Sequence, residues 1–295
     1  MTQGHNIPDK DIMKTIKNQR KNDIGVLKNK ELQNIDSKLD VKLTRVVDQN
    51  REKGASSWLI VLPLKDQGFN LNKDEFRDAL SLRYNRQVKN LPSKCACGET
   101  FDSNHAMNCK KGGFVSIRHG SVRNFEANFL NKVCHDVQIE PKLQSVNGDE
   151  ARLDVKARGF WRPGQAAYFD VRFTNTNTPS QINMSVDKIY AKHENEKKRK
   201  YNKRVLDNEH GTFTPLVFSI NGGMGPENIK YHNLADRIAT KTNQQYEKVI
   251  TWIRCKLSFI IMKSALLCLR GSRSLNVVNA NAVDDFAFAC DEALL

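Results

Sequence analysis

The chain has 295 residues, of which 39% are hydrophobic and 27% charged, enough for one large domain or two modest ones with a substantial core. Its formal net charge of +14 points to a polyanion as partner, whether nucleic acid or an anionic surface. Seven cysteines is an odd number, three of them crowd beside one histidine, and the opening residues lack an apolar stretch, so neither a disulfide framework nor a signal peptide is expected. The expected setting is a reducing compartment, nuclear or cytoplasmic. The most apolar region, residues 249–269, is broken by Arg254, Lys256 and Lys263 and reads as a buried helix rather than a membrane span.

Residues 1–53 are rich in Lys, Asn, Gln and Asp and read as a basic, partly disordered arm, the first thirty or so poorly ordered. Helical spacing is visible only in Leu32, Ile35, Leu39, Leu43 and Val46. Residues 54–92 form a helical prelude. Within it, Asn72 followed by Glu75 has the pattern of a capping box opening a helix over NKDEFRDALSLRY.

Cys95, Cys97, His105 and Cys109 follow within CACGETFDSNHAMNC, and residues 93–113 are read as a zinc knuckle. Four such ligands in one short loop can close on a tetrahedral zinc, and a closed four-ligand site is structural. Gly112-Gly113 then breaks the chain, and residues 117–137 have the periodicity of an amphipathic helix. Arg118, His119, Arg123 and Glu126 lie on it. Glu126 faces either solvent, the favoured side from spacing, or the acids that follow.

Three strands are expected over 137–143, 152–157 and 167–175, with NGDE and RPGQ as turns between them. Strand alternation puts Asp170 and Arg172 on one face of AYFDVRF, and Asp154 with Lys156 on one face of RLDVKA. Hard oxygen ligands beside a cation suit a hydrolytic Mg²⁺ or Mn²⁺ centre. Residues 183–208 read as a helix loaded with Lys192, Lys197, Lys198, Arg199, Lys200, Lys203 and Arg204, a candidate phosphate-binding face. Residues 212–220 are largely apolar and are expected as a central strand. GGMGP reads as a turn, and helices are expected over 228–240 and 243–269, with Gly271 as a stop. These strands and helices are taken as one domain over 114–272, and 273–295 as a fraying tail.

Taken together, the order resembles the C-terminal region of non-LTR retrotransposon proteins. The matching residues are Cys95, Cys97, His105 and Cys109; Arg118-His119; Glu140-Pro141; Asp154; Asp170-Val171; and Lys197 with Tyr201. The likeness runs from about residue 54 to 274. It implies an α/β fold: a restriction-endonuclease-like core of the PD-(D/E)XK type, a mixed sheet flanked by helices, with an inserted zinc knuckle. It also implies metal-dependent cleavage of DNA, with RNA as a further partner. Asp154 and Asp170 would hold the ion, Lys197 would stand in for the motif lysine, and Glu126 or Glu140 could add an acid. Arg172 and Tyr201 complete the candidate catalytic set, and Arg118, His119, Arg123 and the basic helix the nucleic-acid face. Arg152-Leu153 stands where a Pro is expected before Asp154, and these residues contain no reverse transcriptase. The alternative is a nucleic-acid-binding remnant with an inert nuclease fold. A purely structural adaptor would leave the charge and the acidic strands unused.

Overall fold

A computed structural model describes residues 10–146 and 148–273. The chain divides into two units, Met1–Val47 and Asp48–Leu295. In the first, α1 (Lys10–Asp36) is a helix of 27 residues without a single buried side chain. These residues, expected as part of a poorly ordered arm, are helical and carry no buried side chain. Low hydrophobicity argues against burial, but Lys, Gln, Glu and Leu are good helix formers, so secondary structure does not require a core here. Asp40 then caps α2 (Val41–Arg51), its Oδ1 accepting from the Leu43 amide at 2.7 Å.

The second unit opens on a one-turn 3₁₀ helix, Ser57–Leu59, which buries Trp58. The expected capping box is present at α3 (Lys73–Arg83). Asn72 Oδ1 accepts from the Asp74 and Glu75 amides at 3.0 and 2.9 Å, and Glu75 Oε2 accepts from the Asn72 amide at 2.8 Å. The short helix α4 (Ser103–Asn108) is followed by α5 (Phe114–Val133), which starts three residues earlier than its periodicity indicated because Gly113 turns the chain at φ 72°.

The sheet has four strands in the order β1-β2-β3-β4: His135–Ile139, Val155–Arg158, Ala166–Thr174 and Thr212–Ser219. The first three are antiparallel and β4 runs parallel to β3. The crossover between β3 and β4 is α6 (Val186–Glu209), since parallel neighbours need a long connection. The fold is thus mixed α/β, a mixed sheet flanked by helices. β1 stops before residue 143 because Glu140 adopts φ +53° and Pro141 has no amide to donate to the ladder.

β4 is an edge strand, not the central one its apolar sequence suggested. Its side chains are buried nonetheless, because helices cover the sheet on both faces; Pro215 is tolerated there because one side of the strand has no ladder to supply. On one face Val155, Ala157, Phe169, Val171, Leu216 and Phe218 pack with α5 and the C-terminal helices. On the other, Tyr201 and Val205 of α6 pack on Ala166 and Tyr168. The helix expected over 228–240 is two, α7 (Pro226–Tyr231) and α8 (Leu234–Lys241). The last helix, α9 (Tyr246–Arg270), is buried on all sides over its second half and stops at Gly271 as expected. The expected fraying tail lies outside the described residues from 274 onward. No helix of the described residues is long and apolar enough to cross a membrane.

Candidate metal centre and acidic cleft

Two constellations stand out. The first is the cysteine-histidine loop. Residues 94–100 form a tight hairpin, with a bridge between Lys94 and Thr100 and a turn at Gly98 (φ +96°) that brings Cys97 back over Cys95. Asp102 caps α4 through the His105 amide at 2.7 Å, so His105 is presented from a helical turn and Cys109 from its end. The four ligand atoms all lie within 4.8 Å of one another. Cys95 and Cys109 Sγ are 3.7 Å apart, Cys97 and Cys109 Sγ 3.9 Å, and Cys97 Sγ lies 3.3 Å from His105 Nε2. A tetrahedron with Zn–S bonds of ~2.3 Å has edges of about 3.8 Å, so the sulfur spacing fits one tetrahedral ion. Cys95 and Cys109 are buried, His105 half-buried and Cys97 exposed. This is a Cys3His cluster that could bind a metal such as zinc. Among the described residues it is the only group of three or more such ligands that converges.

The second constellation lies where β2 begins. Val155 pairs with Phe169, and the register 155/169, 156/168, 157/167 extended by one step sets Asp154 opposite Asp170. The ladder loosens at that point: the Asp154 amide donates to the Phe169 carbonyl at 3.1 Å, and Asp154 Oδ2 accepts from the Val171 amide at 2.6 Å. Asp154 is therefore bonded to the backbone on both sides of Asp170. His119 of α5 joins it, with Nε2 at 3.2 Å from Asp154 Oδ2 and 3.0 Å from the Val171 carbonyl. Neither partner can donate, so Nε2 carries the proton. The bond to Asp154 raises the His119 pKa.

Asp170 is 6% exposed, and burial pushes its pKa upward against the opposing pull of Lys197, whose Nζ is 2.6 Å from Oδ2. Oδ1 of each aspartate has no partner among the described residues.

The other expected site residues separate. Glu126 faces neither solvent nor the acids. It is fully buried, with Oε1 3.3 Å from His232 Nε2. Spacing could not reveal this, because His232 is 106 positions away. Glu140 lies between Arg123 and Arg152, and its backbone amide donates to the Asp154 carbonyl at 2.8 Å. Arg172 is held by Glu196 at 3.0 Å, and Lys156 lies 3.5 Å from Asp136. Tyr201 is buried beneath α6 and offers its ring to Lys197 and Lys200 at 5.7 and 4.9 Å. It supports those cations by packing.

Of the basic residues, Lys192, Arg199, Lys200 and Lys203 are exposed on α6. Lys198 pairs with Glu227 at 2.8 Å, and Arg204 with Asp149 at 2.8 Å and with the carbonyls of Gln144 and Asp149. Arg118 turns inward and is 3% exposed, contrary to its expected place on a nucleic-acid face. Sequence reasoning missed the role of His119 as partner of Asp154; no local signal marks it. No family model matches this chain, and no curated protein is similar to it in sequence.

Proposed function

We propose that the chain is a metal-dependent DNA endonuclease of the restriction-enzyme-like, PD-(D/E)XK type, derived from a mobile element, with the Cys3His loop as a structural zinc knuckle. The observation that carries this reading is the opposed pair Asp154 and Asp170 on neighbouring strands, with Lys197 of the following helix against Asp170. The order α5-β1-β2-β3-α6-β4, with an acid entering β2, an acid within β3 and a lysine on the crossover helix, is the arrangement that the resemblance implies.

Asp154 and Asp170 would hold Mg²⁺ or Mn²⁺, which supplies Lewis-acid polarisation of the phosphate and a water of lowered pKa. His119 and the Val171 amide fix Oδ2 of Asp154, leaving Oδ1 directed by a carboxylate that cannot rotate freely. Lys197 is the cation nearest the acids and stabilises the charge that builds on the phosphoryl oxygens. The reaction is hydrolysis: a water oxygen bonds to phosphorus, the P–O ester bond opposite breaks, and the proton ends on the departing alkoxide. The exposed Lys192, Arg199, Lys200 and Lys203 give the phosphate backbone a run of cations on the same helix as Lys197. A protein with this activity works where DNA is, in the nucleus or in the cytoplasm, and RNA would be gripped by the same cations.

One observation favours the second reading, a nucleic-acid-binding remnant without cleavage: the Lys197 ammonium already neutralises Asp170 at 2.6 Å. Cleavage of labelled single- and double-stranded DNA by the purified chain, in Mn²⁺ and in EDTA, separates the two. The nuclease reading expects nicking that needs the metal and is lost in Asp170→Asn while DNA affinity is kept. Salt-sensitive binding with no nicking by either protein would leave the remnant.

A further inference from the structure

Arg118 is buried, and no carboxylate among the described residues pairs with it. Its guanidinium donates to the Met107 carbonyl at 3.1 Å, lies 3.8 Å from Met107 Sδ, and stacks over the Phe173 ring at 4.8 Å. A buried cation persists only where fixed dipoles replace its water. Here they come from two different places. Met107 belongs to α4, between the ligands His105 and Cys109; Phe173 belongs to β3, three residues beyond Asp170.

Arg118 is also the immediate neighbour of His119, which clamps Asp154 and the Val171 carbonyl. A second tie runs parallel to it: Asn175 Nδ2, just past the end of β3, donates to Asn104 Oδ1 of α4 at 3.3 Å. Residues 104 and 107 thus alternate with ligands 105 and 109 along one short segment; Asn104 bonds Asn175, the residue after β3, and Met107 is joined to Phe173 of β3 through Arg118.

We propose that the Cys3His loop and the acidic cleft are one coupled unit, with Arg118 as the positioning residue that links them. α4 has six residues, too few to hold its turn alone. A metal on His105 and Cys109 fixes that turn and thereby the Met107 carbonyl. With the carbonyl in place, Arg118 stays stacked on Phe173 and α5 keeps His119 on Asp154. Coupling of this kind is reciprocal: whatever order the metal confers on the cleft, loss of the Arg118 link must return as weaker metal binding. The inference rests on the zinc-knuckle reading but not on the nuclease reading.

The test uses the full chain, wild type and Arg118→Met, with zinc titrated against a competing chelator and amide exchange followed at Val171, whose N–H bonds Asp154. Zinc is expected to slow exchange at Val171 in the wild type by about tenfold or more, the scale of ordinary site-to-site coupling. Arg118→Met is expected to bind zinc about tenfold more weakly and to lose that slowing. Asn104→Ala, an exposed position, removes the second tie without threatening the fold, and is expected to give a smaller shift of the same two readouts. If Arg118→Met does not fold, a partial loss of the zinc-dependent protection in Asn104→Ala supports the coupling, and full retention of both that protection and the zinc affinity overturns it. Zinc binding with no change of exchange at Val171 in the wild type also overturns it. Failure of the wild type to bind zinc at all would instead remove the knuckle reading on which it rests.

Discussion

The Cys3His loop and the acidic cleft are both candidate ion sites, yet they are assembled in opposite ways. All four soft ligands come from one stretch, residues 95–109, and a tight hairpin and one helical turn bring them within 4.8 Å. The cleft takes Asp154 from the start of β2, Asp170 from the middle of β3, His119 from α5 and Lys197 from α6. Closing a short loop costs little entropy, but the local fold has little to hold it except its metal. The cleft needs the whole sheet before it exists, and once formed it survives without an ion, because Lys197 and the Val171 amide already compensate the carboxylates. The first site should therefore be a determinant of stability and the second of chemistry.

The sharpest way to break that contrast is to remove a soft ligand. Cys109→Ser is expected to abolish zinc binding and to lower the free energy of unfolding by at least about 3 kcal/mol, read by denaturant titration. A chelator should shift the wild type similarly and leave the variant unmoved. If instead the variant is as stable as the wild type, the loop does not depend on a metal.

Asp170→Asn should do the reverse. On the proposed nuclease reading, in which Asp170 would hold the ion, cleavage is expected to fall by about 100-fold or more, with DNA affinity within about twofold. Stability should not fall with it. Burial raises the folded-state pKa of Asp170 above its ordinary 3.8, so the stability linked to its proton is present below pH 3.8 and is lost as pH rises through the raised value. A neutral Asn avoids that loss. Thermal melts at pH 4 and pH 7 should show the variant gaining on the wild type toward neutral pH, and a variant that loses ground at pH 7 would mean that the Lys197 ion pair outweighs burial.

A smaller effect separates His119 from the surface histidines. Its pKa is raised by the Asp154 bond, so the stabilisation it contributes is complete below pH 6.5 and disappears as pH climbs through the raised value. The stability gap between wild type and His119→Gln should be about 1 kcal/mol or less at low pH, given partial exposure, and should close toward alkaline pH. A gap that does not change with pH would mean that the ring acts through packing alone.

The smallest expected effect distinguishes free from engaged cations on α6. Lys200→Ala should weaken DNA binding a few-fold and reduce the slope of log K against log salt by about 0.9, one phosphate contact. Lys198→Ala should leave that slope unchanged, since its charge is already taken by Glu227 at 2.8 Å. Equal slopes for the two variants would place the nucleic acid elsewhere.

How far each site could be read in advance follows from the same contrast. The capping box at Asn72 and Glu75, the ligand set of the loop, and the stop at Gly271 are contacts between residues a few positions apart, and each appears where its spacing indicated. Asp154 and Asp170 were visible as acids on strands, but whether they would oppose each other depended on the register of β2 on β3, which neither strand specifies alone. Glu126 and Arg118 show the limit most clearly. Both are charged residues on an amphipathic helix, and each is buried because a partner far along the chain, His232 for one and Met107 with Phe173 for the other, stands where water would be. The edge position of β4 has the same origin: its apolar sequence registers burial, and helices on the sheet faces bury an edge strand as well as neighbouring strands would. What the sequence by itself determined is what closes within one turn, one hairpin or one period. The pairing of strands, the facing of buried charges and the linkage of the loop to the cleft were decided only by tertiary structure, because each is an energy shared between residues that lie beyond one turn or one helical period of each other.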